Sequence, residues 1–170
     1  DKHAQGTKKD KIALYWENFD GKTKKYTFGE ISSLSNQFGN ALKKLGFKKG
    51  DRCLIRLPNI PEFQISFIGG VKIGAVPIPS SVMFRSHEVE YRINDSSSKA
   101  VITTPKYAKE VHEIEKNCPT LKNIIIVGDP VKNEVSYQEI MKNTSTSLIL
   151  EPTKSDDMAF FCYTSGTTGN

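Results

Sequence analysis

The sequence predicts a doubly wound α/β fold, in which a mainly parallel β-sheet is flanked by helices. Two observations lead to this prediction. Short apolar runs alternate along most of the chain with helical patterns of ten or more residues. Residues 124–127 form a continuous β-branched run, which is typical of a parallel strand covered on both faces. The composition, 37% hydrophobic and 25% charged over 170 residues, is that of one globular domain.

The first predicted helix begins at a capping box. Thr27 is the capping residue, and Glu30, three positions later, can bond back to the free backbone amide. Apolar residues then recur every three or four positions, as expected of one buried helix face. They are Phe28, Ile31, Leu34, Phe38, Leu42 and Leu45. Gly46 is expected to end this helix in a left-handed conformation.

A strand and a second helix are predicted next. Residues 52–57 have the apolar pattern of a strand, and Pro61 is suited to the first turn of a helix that Gly74 ends. Gly69 and Gly70 lie inside this helix, where each costs about 1 kcal/mol relative to alanine. Their presence therefore indicates close packing against a neighbouring backbone.

The same alternation continues toward the carboxyl end. A helix is predicted from Ser86, a strand over residues 100–103, and a further helix that ends before Pro119. After the β-branched strand, Ser136 and Glu139 form a second capping box at the start of a short helix.

Two segments complete the chain before its last loop. Residues 143–147 are Asn, Thr and Ser without an apolar residue, which predicts a linker that joins its neighbours and does not divide domains. Residues 158–163 predict one more buried strand. Because ligands of doubly wound sheets bind beyond the carboxyl ends of the strands, a binding site is expected from Thr164 onward.

The residues after this strand are small or hydroxylated. Glycines let backbone amides approach an anion closely, and the hydroxyls add hydrogen-bond donors. The loop lacks the Gly-Lys-Ser/Thr ending of a P-loop, and a flexible loop without a ligand is the alternative interpretation. The predicted phosphate-binding residues are Thr164, Ser165, Gly166, Thr167, Thr168 and Gly169.

Other common sites are not predicted. Cys53, Cys118 and Cys162 are far apart and are interpreted as buried thiols, without a disulfide or a zinc site. The histidines have no metal-ligand spacing; they are His3, His87 and His112. We therefore predict no metal site within the chain.

Charge and hydropathy exclude further classes of partner. The net charge of +5 is scattered in lysine pairs interleaved with acidic residues, so solvated surface is favoured over a nucleic-acid site. Lys109 is interpreted in the same way. No apolar run is long enough to span a bilayer, and the first eleven residues do not resemble a signal peptide. A cytoplasmic protein is expected.

Residues 163–169, Tyr-Thr-Ser-Gly-Thr-Thr-Gly, resemble the AMP-binding signature of the adenylate-forming superfamily at seven consecutive positions. In that family the signature continues with a variable residue, Pro and Lys, and here Asn170 would be the variable residue. Similar stretches occur earlier, at residues 26–30, 50–53, 61–63 and 74–79. Residues 92–99 are similar to the corresponding part of acetyl-type and medium-chain acyl-CoA synthetases.

The resemblance implies that residues 1–170 are the N-terminal part of a large AMP-binding domain, which is expected to be inactive alone. The implied enzyme is an acid–CoA ligase that uses ATP, Mg²⁺ and CoA to convert a small carboxylic acid to acyl-AMP and then to its thioester. The implied phosphate contacts are residues 164–169, with the catalytic residues farther along the family's sequence. A carrier-protein-loading adenylation domain and a non-catalytic α/β domain are alternatives. The acid and the oligomeric state stay open.

Overall fold

A computed structural model describes residues 1–131 and 133–164 of the chain. The strands are β1 (Ile12–Glu17), β2 (Thr23–Thr27), β3 (Arg52–Ile55), β4 (Val76–Pro79), β5 (Ala100–Thr103), β6 (Asn123–Ile126) and β7 (Val135–Ser136). The helices are α1 (Lys2–Gln5), α2 (Phe28–Lys44), α3 (Pro61–Lys72), α4 (Ser86–Ser96), α5 (Pro105–Ile114) and α6 (Tyr137–Lys142). A 3-10 turn over Glu115–Asn117 follows α5.

The central sheet has five parallel strands in the order β4-β3-β5-β6-β7. The chain moves from β3 to one edge at β4 and then returns past β3 to β5, so the direction of winding reverses beside β3. Two separate cores lie on the two faces of the sheet: α2, α3 and α6 cover one face, and α4 and α5 cover the other. The predicted doubly wound α/β fold is confirmed.

Successive residues of each central strand alternate between these cores. In β3, Ile55 joins the core under α2 and α3, whereas Leu54 joins the core under α4 and α5. In β5, Ile102 joins the core under α2 and α3, and Val101 joins the core under α4 and α5. All four of these side chains are fully buried. The sheet is therefore covered on both faces, which explains why its strands are apolar throughout.

The capping box predicted for α2 is confirmed. The Thr27 hydroxyl accepts from the Glu30 backbone N–H at 3.1 Å, and the Glu30 carboxylate accepts from the Thr27 backbone N–H at 2.7 Å. Gly46 follows the helix with φ of +85°, as predicted. At α6, the Ser136 hydroxyl accepts from the Glu139 backbone N–H at 3.2 Å, which supplies the first of the two bonds expected there.

The helix pair α2 and α3 packs at the glycine positions that the sequence singled out. A Cβ atom at Gly69 would lie 2.7 Å from the Ser35 backbone oxygen, which is closer than van der Waals contact allows. A Cβ atom at Gly70 would lie 3.7 Å from Pro77, an ordinary contact. The prediction of close backbone packing therefore holds at Gly69.

The N-terminal region contains elements that the sequence did not predict. β1 and β2 form an antiparallel hairpin in which every second residue of β1 is exposed. Its link to the rest of the fold includes the Trp16 indole N–H, which donates to the Asn59 carbonyl at 2.7 Å. Since this contact joins residues 43 positions apart, a local pattern could not reveal it.

The polar stretch after α6 is held against α2. The Asn40 side-chain amide donates to the carbonyls of Ser145 and Ser147 at 2.8 Å, and that of Asn36 donates to Thr146 at 2.8 Å. The ammonium of Lys43 donates to the Ile149 carbonyl at 3.0 Å. The polar face of α2 thus binds the main chain of this stretch. None of the described helices is long and apolar enough to cross a membrane.

Candidate functional site

An extended segment, residues 148–164, returns along the open edge of the sheet, and we call it the arm. Near its start, the Glu151 backbone N–H donates to the Lys72 carbonyl at 3.0 Å. Asp157 then forms an ion pair of 2.6 Å with Lys49, and the hydrogen bond from Lys49 lowers the pKa of the Asp157 carboxyl. These contacts tie the first half of the arm to the end of α3 and to the loop before β3.

The second half of the arm runs beside β4 in the same direction. Ala159 lines a small cavity with Ala75, the residue that precedes β4. Two positions later, the Phe161 backbone N–H donates to the carbonyl of Pro77, within β4, at 3.3 Å. The arm therefore advances with β4 and carries Thr164 toward the carboxyl ends of the strands.

The prediction of a buried strand at residues 158–163 is wrong, because this segment forms no ladder with β4. The backbone N–H groups of Val76 and Ser80 point to β3, where they donate to carbonyls at 2.8 and 2.9 Å. The alternate positions, which face the arm, are Pro77 and Pro79. Proline has no N–H, so this edge of β4 can accept hydrogen bonds but cannot donate them.

Side chains of the arm nevertheless alternate as they would in a strand. Phe161 and Tyr163 pack against the core under α4 and α5. Phe160 points to the other face, where its ring centroid lies 5.7 Å from that of Phe67. Phe160 and Met158 remain 51% and 56% exposed, so the arm is only half covered.

Tyr163 is attached to α4 through its phenol. The hydroxyl donates to a carboxylate oxygen of Asp95 at 2.5 Å, and the ring meets that of Tyr91 edge-on at 6.2 Å between centroids. Burial and the bond to Asp95 raise the pKa of Tyr163 to about 12. The phenol therefore stays protonated at neutral pH and remains a donor to Asp95.

Arg92, which follows Tyr91 on α4, also contacts the end of the arm. Its guanidinium lies 3.7 Å from the ring centroid of Phe84 and 5.4 Å from that of Tyr163, distances at which a cation attracts an aromatic ring. One guanidinium nitrogen also donates to the Glu88 carbonyl at 2.8 Å. Arg92 thus links the loop after β4, helix α4 and the end of the arm.

Of the six predicted phosphate-binding residues, Thr164 belongs to the described part of the chain. It is exposed and directly follows the attached Tyr163. The other five lie outside the described residues; they are Ser165, Gly166, Thr167, Thr168 and Gly169.

A buried arginine, Arg56, lies beside the reversal of winding at β3, and the sequence predicted no role for it. Arg56 has no exposed surface, and its guanidinium donates to the carbonyls of Tyr107 at 2.7 Å, Val82 at 2.9 Å and Phe84 at 2.8 Å. Desolvation lowers its pKa, while Glu110 at 3.7 Å opposes the shift. The one visible signal was a charged residue in an apolar strand.

Two buried hydroxyls flank this arginine. Continuing the strand register by one residue places Ser80 and Thr103 on either side of Arg56. Neither hydroxyl has a hydrogen-bond partner among the described residues, and the same holds for Nε of Arg56. Polar side chains and the loop of Val82 and Phe84 therefore lie at the carboxyl edge of the sheet beside β3.

The three cysteines divide between the sheet and the arm. Cys53 and Cys118 are buried, as predicted, and burial raises their pKa values to about 12 and about 11. Cys162 is exposed, so the prediction of a buried thiol is wrong there. Like Phe160, Cys162 alternates along the arm with Phe161 and Tyr163, which pack against the core.

Lys109 and His112, on α5, both contact acidic side chains. Lys109 is largely exposed and lies 3.8 Å from Glu113 on the same helix. His112 bonds to Glu134 at 2.7 Å and to Glu115 at 3.4 Å. Among residues 1–131 and 133–164, no group of three or more His, Cys, Asp or Glu side chains is arranged to hold a metal ion.

Comparisons with known proteins agree on one family. A family model described as "AMP-binding enzyme" matches residues 1–170. The acetyl-coenzyme A synthetase of Bacillus subtilis (strain 168) is 36% identical over 173 residues, which cover 99% of this chain and 30% of that protein. The human mitochondrial acyl-coenzyme A synthetase ACSM1 is 28% identical over 170 residues, again covering 99% of this chain and 30% of the relative.

Solved structures have the same fold. The anthranilate CoA ligase AuaEII, crystallised in complex with anthranoyl-AMP, superposes with a TM-score of 0.88 at 27% identity. The match covers 99% of this chain and 31% of that one. The acyl-CoA synthetase of Brucella canis also gives a TM-score of 0.88, at 23% identity. The chain thus spans about 30% of the length of the curated relatives that it matches.

Proposed function

Since this chain belongs to the AMP-binding enzyme family, we propose that it is the N-terminal part of an ATP-dependent acid–CoA ligase. In the proposed reaction a carboxylate oxygen attacks the α-phosphorus of ATP, and pyrophosphate leaves. The thiolate of CoA then attacks the acyl carbon of the acyl-adenylate, and AMP leaves. The acid is a small carboxylic acid.

The observation that carries the proposal is the family match over the whole chain, which includes the loop signature at residues 163–169. The direction of the arm is consistent with it, because Thr164 approaches the edge of the sheet where ligands of doubly wound folds bind. Relatives named acetyl- and acyl-coenzyme A synthetases favour CoA as the acceptor.

In this proposal the loop acts through electrostatics. The backbone amides and hydroxyls of residues 164–169 would hold the β- and γ-phosphates of ATP. Fixing the polyphosphate would orient the α-phosphate for in-line attack and would stabilise the charge of the leaving pyrophosphate. The glycines serve this role because a side chain at their positions would keep the backbone away from the anion.

Mg²⁺ normally accompanies ATP in phosphoryl and adenylyl transfer. Among the described residues, no group of three or more His, Cys, Asp or Glu side chains is arranged to hold a metal ion. We therefore assign no magnesium ligand and no step of the reaction through the metal within this chain.

The proposal is tested by ATP–pyrophosphate exchange with the full-length protein over a panel of carboxylic acids. We expect exchange that depends on one class of acid, and a thioester when CoA is added. In the same assay Thr167→Val should lower exchange about tenfold, because it removes a donor to a charged phosphate while keeping the size of the side chain.

Three results would separate the alternatives. If exchange depends on an acid but the product is an acylated pantetheinyl carrier protein and no CoA thioester, then the acceptor is the carrier protein and not CoA. No exchange with any acid would contradict ligase activity. Thr23→Val, a surface substitution of the same kind, is the control and should show normal exchange. If Thr167→Val also shows normal exchange, Thr167 does not belong to the phosphate site.

A further inference from the structure

The end of the arm is held by side chains and hardly by backbone. Among the described residues, the arm has one backbone bond to β4, from Phe161 to Pro77 at 3.3 Å. The prolines of β4 prevent a regular ladder. Tyr163, by contrast, makes a 2.5 Å hydrogen bond to Asp95 and lies within cation–π distance of Arg92.

Helix α4, which Tyr163 contacts, is packed into the core. Val89 and Ile93 of α4 are fully buried in the core under α4 and α5. Asp95 and Arg92 extend from this anchored helix toward the arm. Because this helix is part of the core, the position of the Tyr163 ring is fixed relative to the sheet.

We propose that Asp95 and Arg92 are positioning residues, which act through Tyr163 to fix the point where the arm ends and the phosphate loop begins. Thr164, the first residue of the loop, directly follows Tyr163, so the contacts of Tyr163 set where the loop begins. An anchored loop loses less conformational freedom when it binds ATP. This inference rests on the proposed function, because it assigns Thr164 and its successors to ATP.

The proposal predicts a change in one kinetic constant, the KM for ATP. A looser anchor adds an ordering cost that is met when ATP binds, before the bound phosphates are oriented for attack. KM for ATP therefore rises, while kcat and KM for the acid stay close to wild type. A hydrogen bond of this kind contributes about a two- to fivefold effect when its surroundings are partly exposed. Both Tyr163→Phe and Asp95→Ala should therefore raise KM for ATP by about two- to fivefold.

The test is steady-state ATP–pyrophosphate exchange by the full-length protein, with ATP and the acid varied in turn. Tyr163→Phe, Asp95→Ala and the double variant are compared with wild type. The double variant should be no worse than either single variant, because all three lack the same hydrogen bond. Asp95→Asn retains an acceptor and should return KM for ATP to within about twofold of wild type.

A matched hydroxyl deletion, Tyr15→Phe, serves as control because Tyr15 is 68% exposed on the distant hairpin. Unchanged KM for ATP in Tyr163→Phe, with normal wild-type exchange, would overturn the positioning role and leave the proposed function intact. Lowered kcat and thermal stability with unchanged KM would show a merely structural contact and would also overturn it. Absence of exchange in the wild type would instead contradict the proposed function on which the inference rests.

Discussion

Two runs of this chain are similarly apolar but have different structures. Residues 124–127 provide most of β6, which is buried and pairs with β5 through a full parallel register. Residues 158–163 are as apolar, yet they form no strand and leave Phe160 and Met158 half exposed. The neighbour decides the outcome, because β5 offers both donors and acceptors, whereas Pro77 and Pro79 leave β4 without donors on its outer edge.

An apolar run thus predicts that its side chains tend to be covered. It does not by itself predict a hydrogen-bonded ladder. The arm gains its order from the Lys49–Asp157 ion pair and from the contacts of Tyr163 with α4. The arm is therefore ordered by side-chain contacts, whereas β6 is ordered by its hydrogen-bonded ladder.

The largest contrast is expected in thiol chemistry, since both regions contain cysteine. In the 170-residue chain Cys162 should react with iodoacetamide at least about 100-fold faster than Cys53 or Cys118, because only an accessible thiolate reacts. Burial raises the pKa values of Cys53 and Cys118 to about 12 and about 11, which removes their thiolate at neutral pH. Mass spectrometry of the alkylated peptides measures the three rates.

The urea dependence of alkylation supplies the control. Unfolding should bring the rates of all three cysteines together, because it removes the protection of the sheet. Equal rates for Cys162 and Cys53 in native buffer would mean that the arm is as protected as the strands. That result would contradict the exposure of Cys162.

The sequence predicted the parts of the fold that depend on local rules. The capping box of Thr27 and Glu30 placed the start of α2, and Pro61 marked the first residue of α3. The bounds of β5 were predicted without error at residues 100–103. In each case neighbouring residues determine the structure, so a local pattern is sufficient.

The parts that were missed depend on distant partners. Tyr163 and Asp95 are 68 positions apart, and Arg56 reaches carbonyls that follow it by 26 to 51 positions. Nothing near Asp95 in the sequence indicates that a tyrosine will donate to it. The contact between arm and helix therefore emerges only from the folded chain, whereas the loop itself is visible as a motif.

Among substitutions, the largest loss of stability is expected at Arg56. Arg56→Met should lower the free energy of unfolding by about 3–5 kcal/mol, because it removes a fully buried guanidinium that donates to three partly buried carbonyls. Arg92→Met, at the edge of the arm, should cost about 1 kcal/mol, since its cation–π contacts lie closer to solvent. Urea unfolding followed by circular dichroism measures both, and equal losses would mean that the sheet and the arm are similarly dependent on their arginines.

The smallest effects are expected from single methyl groups inside α3, where adjacent glycines differ. Gly69→Ala should lower the free energy of unfolding by about 1–2 kcal/mol, because its Cβ would meet the Ser35 carbonyl oxygen at 2.7 Å and overpacking outweighs the helix propensity of alanine. Gly70→Ala should instead raise it by up to about 1 kcal/mol, since Pro77 lies 3.7 Å away and only the propensity changes. Each variant is the control for the other in the same unfolding experiment. If Gly69→Ala were also stabilising, α2 and α3 could separate at no cost, and the two-sided packing that distinguishes the sheet from the arm would be looser than the geometry indicates.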